Sequence, residues 1–200
     1  MDDNHLYFLI GDVSGKGVPA SLFMAITRSL FRTLSQHVLS PAKIVTEMNN
    51  SISDNNESNM FVTLIVGILD LETGILKLCN AGHNPPILIY PDGQVSYLEF
   101  KTQIFVGVVE DFKYSDEEVV LEKESKLFLY TDGVTEAENI NKELYGEEKL
   151  LEMLSDNASS DVRTTVNVVV DSIASHVKEA EASDDLTILL IQYEPGTANS

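Results

Sequence analysis

The sequence predicts an α+β fold, with mainly antiparallel sheets and helices on their outer faces. Apolar residues recur at helical spacing near the start and at every second residue, as in strands, in the middle. The helical spacing returns before a last apolar strand. Helices and strands therefore come in runs and do not alternate as in a parallel sheet. At 200 residues and 44% hydrophobic composition, the chain is long enough for one domain with a sizeable core.

The first predicted elements are a strand and two helices. The strand is the β-prone run 6–10, which ends at Gly11-Asp12. Ser40-Pro41 supplies an N-cap and a first-turn proline for the second helix. Apolar residues at helical spacing define the buried faces: Leu22, Phe23, Ala25, Ile26, Leu30, Phe31 and Leu34 in a first helix over 19–38, then Ile44, Val45, Met48 and Ile52 in the second.

Strands fill the middle of the chain, and two helices and a strand follow them. Three hairpins are predicted, formed by residues 60–69 with 75–80, 86–90 with 94–100, and 119–121 with 125–130. The later elements are a helix from about Gly146, a helix over 161–178, a strand over 186–193 and a tail over 194–200.

The charge balance narrows the classes of partner. The chain has 13 basic and 32 acidic residues, a net charge of −19. Nucleic acids and anionic membranes are bound through Lys and Arg, so this balance argues against both and leaves divalent metals or basic protein patches. The single cysteine, Cys79, excludes an internal disulfide framework. We find no leader peptide and no apolar run of membrane-spanning length, and we expect a cytoplasmic protein.

Three aspartates lie at predicted strand ends. Asp12 and Asp132 follow apolar runs, and Asp184 precedes one. If the third strand runs antiparallel to the other two in one sheet, all three carboxylates emerge along the same edge. Crowded carboxylates repel one another and need a cation, and hard oxygen ligands favour Mg²⁺ or Mn²⁺ over zinc.

Each candidate also has a simpler explanation. Any one of these aspartates could be an ordinary turn or capping residue, and only their convergence favours a metal site. Residues 11–17 lack the spacing and the hydroxyl residue of a phosphate-binding P-loop. Lys16 could meet a substrate phosphate, although a solvated lysine is the commoner case. A lone histidine such as His83 is more often a structural hydrogen-bonding residue than a general acid.

Four segments together resemble a known family. They look like the successive motifs of the PP2C-type (PPM) metal-dependent protein phosphatases of the sporulation stage II E and sigma-B regulator U kind, and they cover nearly the whole chain in family order. The resemblance implies an αββα sandwich with a two-metal centre at one edge of the sheets. The segments are residues 11–20 (GDVSGKGVPA), 80–86 (NAGHNPP), 130–137 (YTDGVTEA) and 183–187 (SDDLT).

The resemblance also implies residue roles. Asp12 would bridge both metals, the carbonyl of Val13 would bind the second, and Asp132 and Asp184 would hold the first, with Asp185 as the adjacent alternative to Asp184. The metals would be Mg²⁺ or Mn²⁺. No substrate-binding side chain is assigned, and no side-chain general acid can be named because Ser14 stands where animal members carry a histidine.

The implied activity is hydrolysis of phosphoserine or phosphothreonine by metal-activated water, without a phosphoenzyme. The expected substrates are STAS-type anti-anti-sigma proteins in bacterial partner-switching signalling. The alternative is a non-catalytic binding or output module with the same fold.

The resemblance further implies a domain over residues 1–193 that is truncated at its N-terminus. Family members usually carry a Gly-Gly-Asp-aromatic-Tyr-Asp segment before the first motif, and its acidic residue supports the second metal. This chain begins after that point. We expect the strand edge left open in this way to favour self-pairing as a homodimer.

Overall fold

The chain has eight strands and four helices among the residues that the computed structural model describes, which are 4–54, 56, 59–180 and 184–195. Every strand pair is antiparallel, which confirms the predicted α+β class. In chain order the elements are β1 His5–Val13, α1 Val18–Leu34, α2 Pro41–Ser53, β2 Val62–Asp70, β3 Ile75–Ala81, β4 Ile87–Ile89, β5 Val95–Tyr97, β6 Glu117–Val120, β7 Lys126–Tyr130, α3 Glu147–Asp156, α4 Val162–Val177 and β8 Ile188–Gln192.

The first of two compact units contains α1 and α2, and its described residues are 4–54, 56, 59–83, 100–121 and 195. Its sheet has the strand order β1-β2-β3-β6. The predicted core face of α2 is buried as expected, with Ile44, Val45 and Met48 fully enclosed. This face packs in one apolar cluster with residues of β2 and β3. Burial of these side chains fixes which face of the sheet the helix covers.

The second unit contains α3 and α4, and its described residues are Asn84–Glu99, 122–180 and 184–194. Its sheet has the order β5-β4-β7-β8, with β7 in the centre. All five residues of β7 are buried, as a near-continuous apolar run predicts. Phe128 and Tyr130 of this strand pack with Leu150 of α3 and Val169 of α4.

The first strand and the first helix differ from their predictions: the strand in its extent, and the helix, which ends at Leu34 and not at residue 38, also in the residues that it buries. The first strand continues to Val13, because pairing with β2 extends through Asp12 opposite Thr63. Helix α1 does bury Phe23, Leu30, Phe31 and Leu34 partly against the core. The prediction was wrong for Leu22, Ala25 and Ile26, which are exposed on the other side of the helix.

The hairpin predicted from residues 119–121 and 125–130 does not form. Strand β6 instead pairs with β3 in the first sheet, and β7 pairs with β4 and β8 in the second. The intervening residues turn away from hairpin geometry: Leu121 N donates to Gly74 O, and Glu124, with φ of 72°, donates its amide to Tyr193 O. The other two predicted hairpins are confirmed.

Within the described part of the chain, none of the helices combines the length and the apolar character needed to cross a membrane.

Candidate metal centre

Asp132 and Asp184 are brought together in the second unit. Each offers a carboxylate oxygen, and these two oxygens lie within 4.8 Å of each other. Asp132 comes two residues after β7, and Asp184 lies four residues before β8. The antiparallel pairing of β7 with β8 ends at Tyr130 opposite Ile188, so both aspartates lie at the same end of the strand pair. This confirms the antiparallel arrangement that the sequence required of these two residues.

Thr131 ties the two aspartate-bearing segments to each other. Its hydroxyl donates to the carbonyl of Asp185 over 3.2 Å and accepts from the amide of Thr187 over 3.1 Å. Its amide also donates to the carbonyl of Thr187 over 3.1 Å. Three hydrogen bonds from one residue therefore extend the strand pairing beyond Tyr130, to the level of the carboxylates.

Gly133 allows this close approach. A Cβ at residue 133 would overlap the backbone of Asp185 and would lie 3.6 Å from the Cβ of Asp184. The contact is with backbone atoms, which cannot move aside as a flexible side chain can. A glycine next to Asp132 is therefore a steric requirement of this site.

Asp12 and Val13 belong to the first unit, where they are the last two residues of β1. Asp12 is half-buried and Val13 is buried. The premise that all three aspartates leave one sheet was wrong, because β1 belongs to one sheet and β7 with β8 to the other. The first sheet has its own strand order, which the local sequence around Asp12 did not reveal.

Ser14 holds the end of β1 through its side chain. The amide of Ser14 donates to the carbonyl of Phe61 over 2.9 Å, and the Ser14 hydroxyl accepts from the Phe61 amide over 2.9 Å. This reciprocal pair continues the ladder one residue past Val13. The serine that replaces the animal members' histidine is thus a structural residue in this chain.

The other residues that the sequence suggested differ in their exposure and in their hydrogen bonds. Lys16 is exposed, next to Gly15 and Gly17, whose φ values are 85° and 83°. His83 is only 4% exposed. Its ring bonds Thr63, and its backbone bonds Asn80 in both directions, which confirms the hydrogen-bonding role that its sequence setting favours. Asp185 is exposed, and its carbonyl is bound by Thr131.

Tyr130 lies next to the site but belongs to the core. Tyr130 directly precedes Thr131 and is 1% exposed. Desolvation, together with the neighbouring Tyr97, raises the pKa of its phenol far above the ordinary value of 10.0. Tyr130 therefore stays protonated at neutral pH and serves as a core residue of its unit.

The donor set of the second unit fits a hard divalent cation. Two carboxylates within 4.8 Å repel each other unless a cation lies between or beside them. Both offer oxygen, the ligand that Mg²⁺ and Mn²⁺ prefer. Sequence reasoning identified these carboxylates but missed Thr131, Thr63 and Ser14, the hydroxyl residues that hold the segments in place.

Comparison with solved structures places the fold among the PP2C phosphatases. The RsbU and RsbW domains of Rv1364c from Mycobacterium tuberculosis match with a TM-score of 0.81 at 23% identity, over 97% of this chain and 53% of that one. The SiaA-PP2C domain of Pseudomonas aeruginosa matches at 0.79 and 23%, over 95% and 80%. The catalytic domain of the serine/threonine protein phosphatase PstP, solved with two manganese ions, matches at 0.66 and 13%, over 94% and 90%.

The chain belongs to the stage II sporulation protein E (SpoIIE) family, whose sequence model matches residues 2–194. Among its relatives are two proteins of Bacillus subtilis, the phosphoserine phosphatases RsbU, at 25% identity, and RsbP, at 28%. Each match covers 96% of this chain. The chain spans about half the length of these relatives, 56% of RsbU and 47% of RsbP.

Proposed function

We propose that this chain is the catalytic domain of a metal-dependent protein phosphatase that hydrolyses phosphoserine or phosphothreonine. The observation that carries the proposal is the pair of carboxylates of Asp132 and Asp184, within 4.8 Å of each other on hydrogen-bonded segments. Membership of the SpoIIE family and the phosphoserine phosphatase names of RsbU and RsbP support it.

In this proposal, Asp132 and Asp184 would hold a first Mg²⁺ or Mn²⁺, and Asp12 and the carbonyl of Val13 would be ligands of the second, the roles that the family resemblance implies. Such ions, when bound, acidify water and offset the negative charge of the phosphoryl group. The two manganese ions in the PstP structure support a count of two.

The protein's own contribution is to keep the donors in place. Thr131 and Gly133 hold Asp132 close to the segment of Asp184, so contacts within the protein itself bring the two carboxylates together. A net charge of −19 repels a phosphorylated substrate. Bound cations are therefore needed both for the reaction and for the approach of a dianionic phosphate group.

The proposed substrate is a phosphorylated STAS-type protein in partner-switching signalling in the cytoplasm. The support is the similarity to RsbU and RsbP, and to a structure that contains an RsbU and an RsbW domain. A homodimer is also proposed, since β1 lies at the edge of the strand order of its sheet among the described strands. A phosphorylated STAS protein should be dephosphorylated faster than a free phosphoserine peptide, and light scattering should give twice the chain mass.

The activity is tested by phosphate release from a phosphoserine protein with Mn²⁺. Wild type should release phosphate, EDTA should abolish the release, and Asp132→Asn should lower kcat/KM by on the order of 100-fold or more, because it removes a charged donor from the centre. Asp171→Asn, on the exposed surface of α4, is the matched control and should behave as wild type. Equal rates for wild type and Asp132→Asn would refute the proposal.

A further inference from the structure

His83 occupies a fixed position in the turn after β3. The Asn80 side chain donates to the carbonyl of His83 over 3.0 Å and accepts from its amide over 2.8 Å. Both residues are buried, at 3% and 4% exposure. Gly82 between them has φ of 76°, and a Cβ there would overlap the ring of Phe105. The turn is therefore built so that the imidazole is held in one place.

Hydrogen bonds connect the His83 ring to Asp12 through the hydroxyl of Thr63. Nδ1 of His83 lies 3.0 Å from the hydroxyl of Thr63, and that hydroxyl lies 3.4 Å from the carbonyl oxygen of Asp12. Thr63 and Asp12 are direct cross-strand partners on β2 and β1. The three residues form one chain of contacts inside the first unit, although Thr63 and His83 are 20 positions apart and Asp12 is 51 positions from Thr63.

The number of available hydrogens determines which group donates in each of these contacts. A hydroxyl has one hydrogen to donate, and a carbonyl oxygen can only accept. When Thr63 donates to Asp12, its oxygen can bond His83 only as an acceptor, so Nδ1 of His83 must carry the hydrogen. The arrangement thus selects the Nδ1–H tautomer of His83, and the second nitrogen of the neutral ring, Nε2, bears the lone pair.

We propose that Thr63 and His83 are positioning residues for the Asp12–Val13 segment, an inference that rests on the metal centre proposed above. The Asp12 carbonyl belongs to the peptide group that joins Asp12 to Val13, so a hydrogen bond to it restrains both proposed ligand residues. β1 ends at Val13, and the left-handed glycines 15 and 17 follow. Backbone pairing ends one residue later at Ser14, and side-chain bonds from Thr63 and Ser14 add to it on either side of the segment.

The test compares variants that keep or remove each hydrogen bond. Thr63→Val has the same shape as threonine without the hydroxyl, whereas Thr63→Ser retains it. His83→Leu removes the ring donor, whereas His83→Asn keeps an amide near the position of Nδ1. Loss of a residue that orients a metal ligand typically weakens metal binding by about 10–100-fold. We expect that loss in Mn²⁺ affinity for Thr63→Val and His83→Leu, and near-wild-type affinity for Thr63→Ser and His83→Asn.

Two measurements on the 200-residue chain decide the outcome: Mn²⁺ titration by calorimetry, and the tautomer of His83 from long-range ¹H–¹⁵N NMR in metal-free protein. The expected spectrum shows hydrogen on Nδ1. A hydrogen on Nε2 would overturn the inference, as would Thr63→Val binding Mn²⁺ like wild type. If Thr63→Val fails to fold, the serine and asparagine variants and the tautomer decide. Wild type that binds no Mn²⁺ would overturn the metal centre, and this inference with it.

Discussion

At the scale of single residues, three hydroxyl side chains hold the backbone around the predicted acidic residues. Thr131 bonds Asp185, 54 positions away, Ser14 bonds Phe61, 47 positions away, and Thr63 bonds Asp12, 51 positions away. Threonine and serine are ordinary in strands and turns, so nothing local marks them as part of a site. The aspartates could be singled out because three of them share a setting at predicted strand ends, two of them beside glycine. Their supporting hydroxyls were not, because these roles depend on distant pairing.

Cys79 gives a prediction for pH at the same scale. The thiol is fully buried, and desolvation, with a smaller effect from the charge of Asp116, raises its pKa from 9.0 to about 12. The folded state therefore favours the protonated thiol. This contribution to stability is fully present below pH 9 and is lost as the pH rises from 9 towards 12. Between pH 8 and pH 10.5, the urea midpoint of wild type should fall further than that of Cys79→Ser, which does not ionise.

The reactivity of Cys79 provides the control. At pH 8, a thiol reagent should modify the folded chain far more slowly than the urea-unfolded chain, because the thiolate is the reactive form. Rapid modification of the folded protein, or parallel pH dependences for wild type and Cys79→Ser, would contradict the buried, protonated state.

At the scale of elements, local sequence patterns predicted which helices and strands form better than they predicted which strands pair with each other. The helix α2 was predicted from its cap and its apolar face, and both are observed. The pair 119–121 and 125–130 looked like a hairpin because two apolar runs flank a short polar segment. That local pattern is the same whether the runs pair with each other or with strands far away. Long-range partners decided it: β3 for the first run, β4 and β8 for the second.

The N-terminus of α2 offers a test of element stability. The Ser40 hydroxyl accepts from the Lys43 amide over 3.3 Å and donates to Asp116 over 2.7 Å, and Asp116 also accepts from the amide of Ala42. Ser40→Ala removes both hydroxyl bonds, so the free energy of unfolding should fall by about 1 kcal/mol. Urea denaturation measures the change.

The control at this position is Ser40→Gly, because glycine is tolerated at an N-cap and costs only a few tenths of a kcal/mol by itself. Ser40→Gly also removes the bond to Asp116, so its free energy of unfolding should lie between that of wild type and that of Ser40→Ala. A Ser40→Ala variant as stable as wild type would show that the Asp116 carboxylate caps the helix alone.

At the scale of the whole molecule, the fold class could be predicted from the order in which helical and strand-like spacings of apolar residues follow each other along the sequence. Runs of helix, strand and helix predicted antiparallel sheets with four helices, and the described chain has them. The division of the strands between two sheets was not predictable, since β1 and β6 join one sheet, and β4 and β8 the other, through partners distant in sequence. The resemblance to a family supplied the sandwich and the metal centre, which periodicity alone does not contain.

The overall charge ties the proposed reaction to the metal centre. A chain with 32 acidic and 13 basic residues attracts divalent cations and repels phosphate groups, so its proposed reaction depends on bound metal. One carboxylate oxygen of Asp132 and one of Asp184 lie within 4.8 Å of each other.

Calorimetric titration with Mn²⁺ tests this claim most directly. Wild type should bind Mn²⁺, Asp132→Asn and Asp12→Ala should each bind it more than about tenfold more weakly, and Asp171→Asn on the exposed surface of α4 should match wild type. A wild-type titration that shows only heat of dilution, or one in which Asp132→Asn and Asp171→Asn bind Mn²⁺ equally well, would contradict the account.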